Sequence, residues 1–370
     1  MTSREDPGPF PRGAGHGGGE EPAPGPEAGG PDADARELAA WARRTLAVVG
    51  LGQIGGSLAA AVRPLVARVL GLDRDPAAVA HARAAGWIDA GASGDWSLLS
   101  EADALVVAVP VGDIPAVLAA AAPHLRPGCL VTDTGSVKGP VVEAAARLLP
   151  AAHRFAGGHP MAGTERSGPA AADPGLFRGR TWVLTPSPPW GEAAARPWAA
   201  LLRAAGARIL YLDPREHDRH VALSSHLPLL VAVALARAAA AGAGRLPYLP
   251  DLVAGGFRDT SRVAAGEPAV GGDILAANWA ELQPWLQVFR DELDRLAAAA
   301  ARADRDELRA LLAAARRFRA RLMAATPVPG RPPVAGAGDP RAARDRQQPW
   351  PAPEAPESPP VPGDPWRADP

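Results

Sequence analysis

The stretch Leu46-Ala47-Val48-Val49-Gly50-Leu51-Gly52-Gln53-Ile54-Gly55 decides the fold. Four apolar residues read as a strand buried on both faces, and a glycine-spaced turn then opens a helix. Gly50 permits the tight turn, Gly52 lets the backbone approach a pyrophosphate, and Gly55 lets helix and strand pack closely. Gln53 and Ile54 stand at the helix start, whose free N–H groups and positive dipole end suit phosphate. A glycine pattern alone is equally a plain turn. The strand before it, the helix after it and Asp73 about twenty residues on make it a dinucleotide loop. Asp73 closes Arg68-Val69-Leu70-Gly71-Leu72-Asp73 and is placed to bind the ribose 2′-hydroxyl of NAD. The same carboxylate repels a 2′-phosphate, whereas Arg74 beside it suits the phosphate of NADP. NAD is therefore expected first, with NADP as the alternative. Val109 and Pro110, ending a later apolar run, are expected as a second cofactor contact on fold logic alone.

Outward from the loop, strands are expected at Leu46–Val49, Val69–Leu72, Leu105–Val109, Leu130–Asp133, Arg154–Ala156, Trp182–Thr185 and Ile209–Leu212. Helices fit between them, for example at Ile54–Val66, Pro115–His124 and Val141–Leu149. Buried strands joined by crossover helices predict an α/β Rossmann-type doubly wound parallel sheet. After Asp213 the pattern is helical only: His217–Ala240, Pro247–Ala264, Asp273–Ala301 and Asp304–Met323. Leu282, Trp285, Leu286, Phe289, Leu293 and Leu296 recur at helical spacing and form a stripe that needs a partner, within the chain or between subunits. The expected organisation is a tail over 1–35, a dinucleotide-binding domain over 45–213, an all-α helical substrate and dimerisation domain over 214–324, and a Pro-rich tail over 325–370. Neither tail has enough apolar residues to offset its chain entropy, so both are expected to be disordered. Trp350 and Trp366 in the second are read as stray aromatics rather than docking points.

Composition narrows the function. The 370 residues carry a net charge of −1, which gives no broad basic surface for nucleic acid. Cys129 is the single cysteine, so no internal disulfide is possible, and it reads as a small buried hydrophobe. No secretory h-region and no run of about 18 apolar residues is present. The longest apolar stretch, Leu227 to Ala241, contains Pro228 and Arg237 and reads as a buried helix. A cytoplasmic location without membrane contact is expected. Lys138 is the only lysine in an arginine-rich chain, which suggests a place where a compact ammonium fits and a guanidinium fork does not.

His159, in Gly157-Gly158-His159-Pro160-Met161-Ala162-Gly163-Thr164-Glu165, lies about a hundred residues after the loop, where a substrate should meet the cofactor. A neutral imidazole there can take a proton from a substrate hydroxyl as hydride leaves the same carbon. Taken alone, a histidine packed in a glycine-rich turn is the commoner reading. Ser136, in Asp133-Thr134-Gly135-Ser136-Val137-Lys138, is expected near the nicotinamide and also as a helix N-cap. Arg258 and Arg262 stand four apart on one helix face and suit a doubly carboxylated substrate. In so arginine-rich a chain such a pair is also a solvated face.

In order and spacing these runs resemble the prephenate/arogenate dehydrogenase family of tyrosine biosynthesis. The matching pieces are Gly50 through Ser57, Thr132 through Lys138, Gly157 through Glu165, Ser225-His226-Leu227-Pro228 and Gly256 through Arg262. The resemblance implies an NAD(P)-dependent oxidative decarboxylation of a cyclohexadienol in a homodimer joined through the helical domain. It implies His159 as the proton acceptor, Ser136 as the residue orienting that imidazole, and Arg262 as the ligand of the ring carboxylate with Arg258 lining the pocket. His226, Ser225, Thr164 and Glu165 become further pocket candidates. His217 matches a family position at the start of the helical half, with a junction role as plausible as a substrate contact. Two departures bear on the substrate: Leu229 replaces a second histidine, and Gly271 stands where prephenate-type members carry an aromatic residue. Both favour arogenate over prephenate, while Gly163-Thr164-Glu165 has the prephenate-like form. No ligand-sensing domain is expected after residue 324, so any feedback by tyrosine would act at the active site. Two rivals are a 3-hydroxyacid-type dehydrogenase, which would need a lysine in the helical half, and a non-catalytic NAD(P)-sensing regulator.

Overall fold

Eight short strands with apolar interiors line up in one sheet. A computed structural model describes residues 31–326, so most of the two expected tails, with Trp350 and Trp366, lies outside the described residues. The elements are α1 (Pro31–Trp41), β1 (Thr45–Val49), α2 (Gln53–Val62), β2 (Arg68–Leu72), α3 (Pro76–Ala84), β3 (Ala90–Ala92) and β4 (Ala104–Val107). Then follow α4 (Ile114–Ala121), β5 (Leu130–Asp133), α5 (Gly139–Leu148), β6 (Arg154–Pro160), β7 (Thr181–Thr185), α6 (Glu192–Ala204) and β8 (Arg208–Tyr211). The remainder is helical: α7 (Pro214–Val221), α8 (Leu227–Ala243), α9 (Leu249–Leu252), α10 (Gly255–Ser261), α11 (Pro268–Ala277), α12 (Trp279–Ala301) and α13 (Arg305–Ala325). Chain contacts divide the described residues into one unit ending at Gln287 and a second beginning at Val288.

The strand order is β3-β2-β1-β4-β5-β6-β7-β8, and its first six strands follow the order of a dinucleotide-binding sheet. The Rossmann-type reading therefore holds. All neighbours are parallel except β6 and β7, which run antiparallel. The expected doubly wound parallel sheet thus holds, with a single antiparallel pairing inside it. The reason lies in β6, which continues past Ala156 to Pro160 and pairs Gly157 with Thr185 and His159 with Val183. His159 therefore sits in a strand and not in a glycine-rich turn.

Two apolar layers cover the sheet. Leu46, Val48, Leu58, Val69, Val106 and Trp198 belong to one, and Ala47, Leu70, Leu105, Val107, Val131 and Val141 to the other. This alternation along β1 shows why its apolar run is continuous. Helix α1 moves the expected tail boundary near residue 35 back to Pro31. It is held by Trp41, whose indole donates to Pro197 O at 2.8 Å, and by the Arg203–Asp34 ion pair at 2.9 Å.

The long helix expected over His217–Ala240 is broken by a π-helical turn at Ala222–His226. Pro250 and Gly255-Gly256 likewise split the segment expected over Pro247–Ala264 into α9, α10 and a short turn at Arg262–Ala265. The stretch Pro214–Ala243 is long and apolar enough to cross a membrane by length and composition. Its early part carries the buried polar residues His217, Asp218 and His226 of the site. Within α8 only Leu227 and Ala232 are buried, while Leu229, Leu230, Val231, Val233 and Leu235 are half-buried, so the expected buried helix is only partly covered.

Candidate active site

The site forms at the carboxyl ends of the central strands, the place where open α/β sheets bind ligands. Gly50 follows β1 with φ +93°, a conformation suited to glycine. A Cβ on Gly55 would lie 1.8 Å from Gly50 O, so close helix–strand contact demands glycine there. A Cβ on Gly52 would meet nothing within 4 Å, and no side chain caps α2. The first-turn N–H groups are therefore left for an incoming anion. Asp73 supports the loop directly: Oδ2 accepts from Leu51 N at 2.6 Å and Oδ1 from Asp75 N at 2.9 Å. Arg74 is exposed beside it. These residues fit a dinucleotide.

Val109 abuts the loop, since a Cβ on Gly50 would lie 3.0 Å from Val109 Cγ1. Strand β4 stops at Val107, so Val109 and Pro110 form the ledge beyond it and not the strand end. Helix α11 closes on this ledge through Gly112 N and Asp273 Oδ2, 3.3 Å apart. Gln53 reaches the other way, donating through Nε2 to Thr164 Oγ1 at 2.7 Å and accepting from Thr164 N at 3.0 Å. The segment just after His159 is thus tied to the nucleotide loop.

His159 is buried, and its Nδ1 lies 2.8 Å from His217 Nε2. His217 Nδ1 in turn lies 2.7 Å from Asp218 Oδ1. A carboxylate only accepts, so His217 carries its proton on Nδ1. With both rings neutral, His217 Nε2 accepts from His159 Nδ1, and the lone pair of His159 is left on Nε2. Burial, followed by the charges of His217, Lys138 and His226, holds the His159 pKa well below the ordinary imidazole value. The ring is therefore a neutral base at neutral pH.

Asp218 also serves α5. Its Oδ1 accepts from Lys138 N at 2.7 Å and its Oδ2 from Gly139 N at 2.8 Å. The anion at this helix start is thus a protein carboxylate, stabilised by the dipole. Lys138 is the N-cap residue, which corrects the N-cap role expected of Ser136. Nor is Ser136 the partner of the His159 ring; among the described residues that partner is His217. His217 and Asp218 carried only a faint signal in sequence, a histidine–aspartate pair just past a helix start.

Lys138 is wholly buried. Its Nζ pairs with Asp133 Oδ2 and donates to Gly158 O at 2.7 Å, while Gly158 N donates to Asp133 Oδ1 at 3.0 Å. The ion pair grips both the N–H and the C=O of Gly158, the residue before His159, where β6 has left β5 for β7. A Cβ on Gly158 would lie 2.5 Å from Asp133 O, so the grip requires glycine.

His226 points inward from the π-helical turn, with Nδ1 3.0 Å from Asn278 Nδ2 and a buried Nε2 that has no hydrogen-bond partner. Burial pushes its pKa down to about 4. Asn278 also donates to Asp218 O at 2.8 Å, which links α11 and α12 to the histidines. Ser225 and Arg258 are exposed, and among the described residues neither hydrogen-bonds to His159. Arg262 pairs with Glu165 at 3.0 Å. That Glu165 carboxyl lies below its usual pKa, first through a backbone hydrogen bond and then through Arg262.

A dinucleotide loop, a ledge beside it and a neutral imidazole base held at the same edge of the sheet define an NAD(P)-dependent dehydrogenase. Comparison with known proteins narrows the class. The family model for the nucleotide-binding domain of prephenate dehydrogenase matches residues 58–211, and that for its dimerization domain matches 213–314. The chain is 34% identical over 255 residues to prephenate dehydrogenase of Bacillus subtilis (strain 168), covering 68% of this chain and 69% of that protein. It is 35% identical over 268 residues to cyclohexadienyl dehydrogenase of Zymomonas mobilis, covering 71% and 90%. Among solved structures, Synechocystis arogenate dehydrogenase superposes with a TM-score of 0.64 at 34% identity, over 75% of this chain and 99% of that one. Prephenate dehydrogenase from Aquifex aeolicus, in complex with hydroxyphenyl propionate and NAD+, gives 0.68 at 28% identity, over 75% and 98%. The chain belongs to the prephenate dehydrogenase family and is an oxidoreductase. Membership removes the 3-hydroxyacid-type and sensing-regulator readings.

Proposed function

We propose that the chain oxidises arogenate to tyrosine, with prephenate to 4-hydroxyphenylpyruvate as its second substrate, in the cytoplasm and as a homodimer. The observation that carries the reading is the Asp218–His217–His159 chain, which leaves a basic Nε2 on a buried ring. In this reading His159 Nε2 takes the proton of the ring hydroxyl. The Gly50 loop and Asp73 would hold NAD or NADP, which would supply the acceptor for the hydride of the same carbon. The resulting ketone draws in the electrons of the opposite carboxylate as carbon dioxide leaves. The aromatic oxygen then recovers a proton from His159, so protons and electrons balance.

Ser136 binds the substrate hydroxyl at the end of β5. Arg262 exchanges Glu165 for the substrate's ring carboxylate, with Arg258, Thr164, Ser225 and His226 around the remainder. The fixed Asp73 carboxylate favours NAD, while exposed Arg74 leaves NADP usable. Functionally the chain divides into a dinucleotide-binding part over 45–213, supported by α1, and a helical substrate and dimerisation part over 214–324.

The preference for arogenate rests on Leu229 and Gly271. They are neighbours in the fold, since a Cβ on Gly271 would lie 3.7 Å from Leu229 Cδ2. The test is to supply arogenate and prephenate, each with NAD and with NADP, and to follow reduced cofactor. Arogenate with NAD is expected to give the highest kcat/KM. A faster prephenate rate overturns the substrate preference alone, and no turnover in any of the four mixtures sinks the reading.

A further inference from the structure

We propose that a cleft formed by Arg43, Arg44, Arg126 and Arg154, at the amino ends of the strands, is a binding site for a small phosphate-bearing anion. The cleft lies where α1 runs into β1 and where β5 and β6 begin, and it measures about 380 Å³. That volume is within the usual range of small-molecule sites, about 300–1,000 Å³. It lies across the sheet from the loop at Gly50, about 16 Å away along five residues of β1 at about 3.3 Å each. The nucleotide loop and this cleft are therefore separate sites.

Among the described residues the charges of the cleft do not balance. Asp103 is the only carboxylate in the lining among the described residues, and it is already engaged. Its Oδ2 accepts from Thr45 N at 2.9 Å, and Oδ1 lies 3.6 Å from Arg126 Nη1. Glu37 from α1 and Asp103 attract Arg44, while Arg154 and Arg43 repel it. Neither Arg43 nor Arg154 forms an ion pair among the described residues. Arg44 rests on the ring of Trp41 at 5.0 Å, and Trp41 is itself wholly buried, so the guanidinium has a fixed platform.

Most telling, Arg44 Nη1 is buried and has no hydrogen-bond partner. A solvated arginine face would leave every guanidinium nitrogen in water. Here the guanidinium rests on the Trp41 ring with one nitrogen out of water and without a partner, so its positive charge is poorly compensated. Guanidinium pairs bidentately with phosphate oxygens, and the excess of positive charge calls for more than one negative charge on the ligand. A phosphomonoester or a pyrophosphate meets both requirements. The strands that start at the cleft end beside Ser136 and His159, so occupancy would bear on the site from behind.

Inorganic pyrophosphate is the probe. It is titrated calorimetrically into the full chain, with and without saturating NAD, at constant ionic strength held with sodium chloride. One saturable site is expected to persist under NAD, which blocks the nucleotide loop. Affinity is expected to fall at least tenfold in Arg44→Gln/Arg154→Gln, with NAD affinity unchanged. If that double variant does not fold, Arg43→Gln decides, with an expected loss of at least threefold. Absence of saturable binding under NAD, or unchanged affinity in the variant that folds, overturns the site.

Discussion

At the residue scale Lys138 explains its own survival in an arginine-rich chain. The slot between Asp133 and the Gly158 carbonyl is closed to water, and a point-like ammonium fills it where a planar fork would not. Lys138→Met leaves the Asp133 carboxylate buried with only its backbone donors, and such broken pairs cost about 3–5 kcal/mol. Urea unfolding is expected to show that loss, and the double variant Lys138→Met/Asp133→Asn to regain part of it; equal stability of single and double variants would refute the clamp. For His159 the expectation concerns rate. His159→Asn is expected to lower kcat by about 10²–10⁴-fold with NAD affinity intact, measured by steady-state kinetics and by cofactor fluorescence titration. Because burial lowers the His159 pKa, the imidazole stays neutral as pH falls through its ordinary value. The acid limb of kcat is therefore expected below about pH 6.5. An acid limb at or above that pH would assign it to another group.

At the scale of elements, one carboxylate joins α5, α7 and the strand that carries His159. Asp218 receives two N–H groups from the start of α5 and orients His217 towards His159. Asp218→Asn keeps the shape, halves the acceptor capacity and releases the His217 tautomer. The variant is expected to lose roughly 1–3 kcal/mol of stability together with a fall in kcat that Asp218→Glu does not rescue. A variant with normal kcat would show the relay to be structural. The α/β layout was legible because β1, β4 and β5 are continuous apolar runs with a glycine loop at the right offset. Strand β3 escaped because Ala90-Gly91-Ala92 offers only two methyl groups, too little from which to read a period. The extension of β6 escaped because Gly157-Gly158 looks like a turn, whereas the space is filled by Thr185 and Asp133. His159 was legible from its spacing, but the identity of its partner was not. Ser136 is nearer to His159 in sequence than His217, which is 58 residues away and reaches the ring only through the fold of α7 against α5. The π-helical turn has no signature of its own in Ala222-Leu223-Ser224-Ser225-His226.

At the scale of the whole molecule, acid sensitivity follows from the buried histidines. Burial lowers the pKa of His153, His159 and His226, the last to about 4. Between the folded and unfolded values the unfolded chain binds protons that the folded chain does not. Stability therefore rises with pH across that window, is complete above about pH 6.5, and is lost as pH falls towards 4. His226 alone contributes roughly 3 kcal/mol over the window, because each tenfold change in proton affinity corresponds to about 1.4 kcal/mol. The sign is opposite to that of a histidine held by a carboxylate, whose contribution would fade as pH rises. Urea midpoints measured from about pH 7.5 to about pH 4.5 at one protein concentration are expected to decline only below about pH 6.5. His226→Gln is the discriminating variant, since glutamine can still accept from Asn278 but cannot take up a proton. Its slope between about pH 6 and about pH 5 is expected to be smaller than that of the parent by about one proton, or about 1.4 kcal/mol per pH unit. Equal slopes would mean that the unpartnered Nε2 of His226 finds solvent, and that the acid transition belongs to other groups.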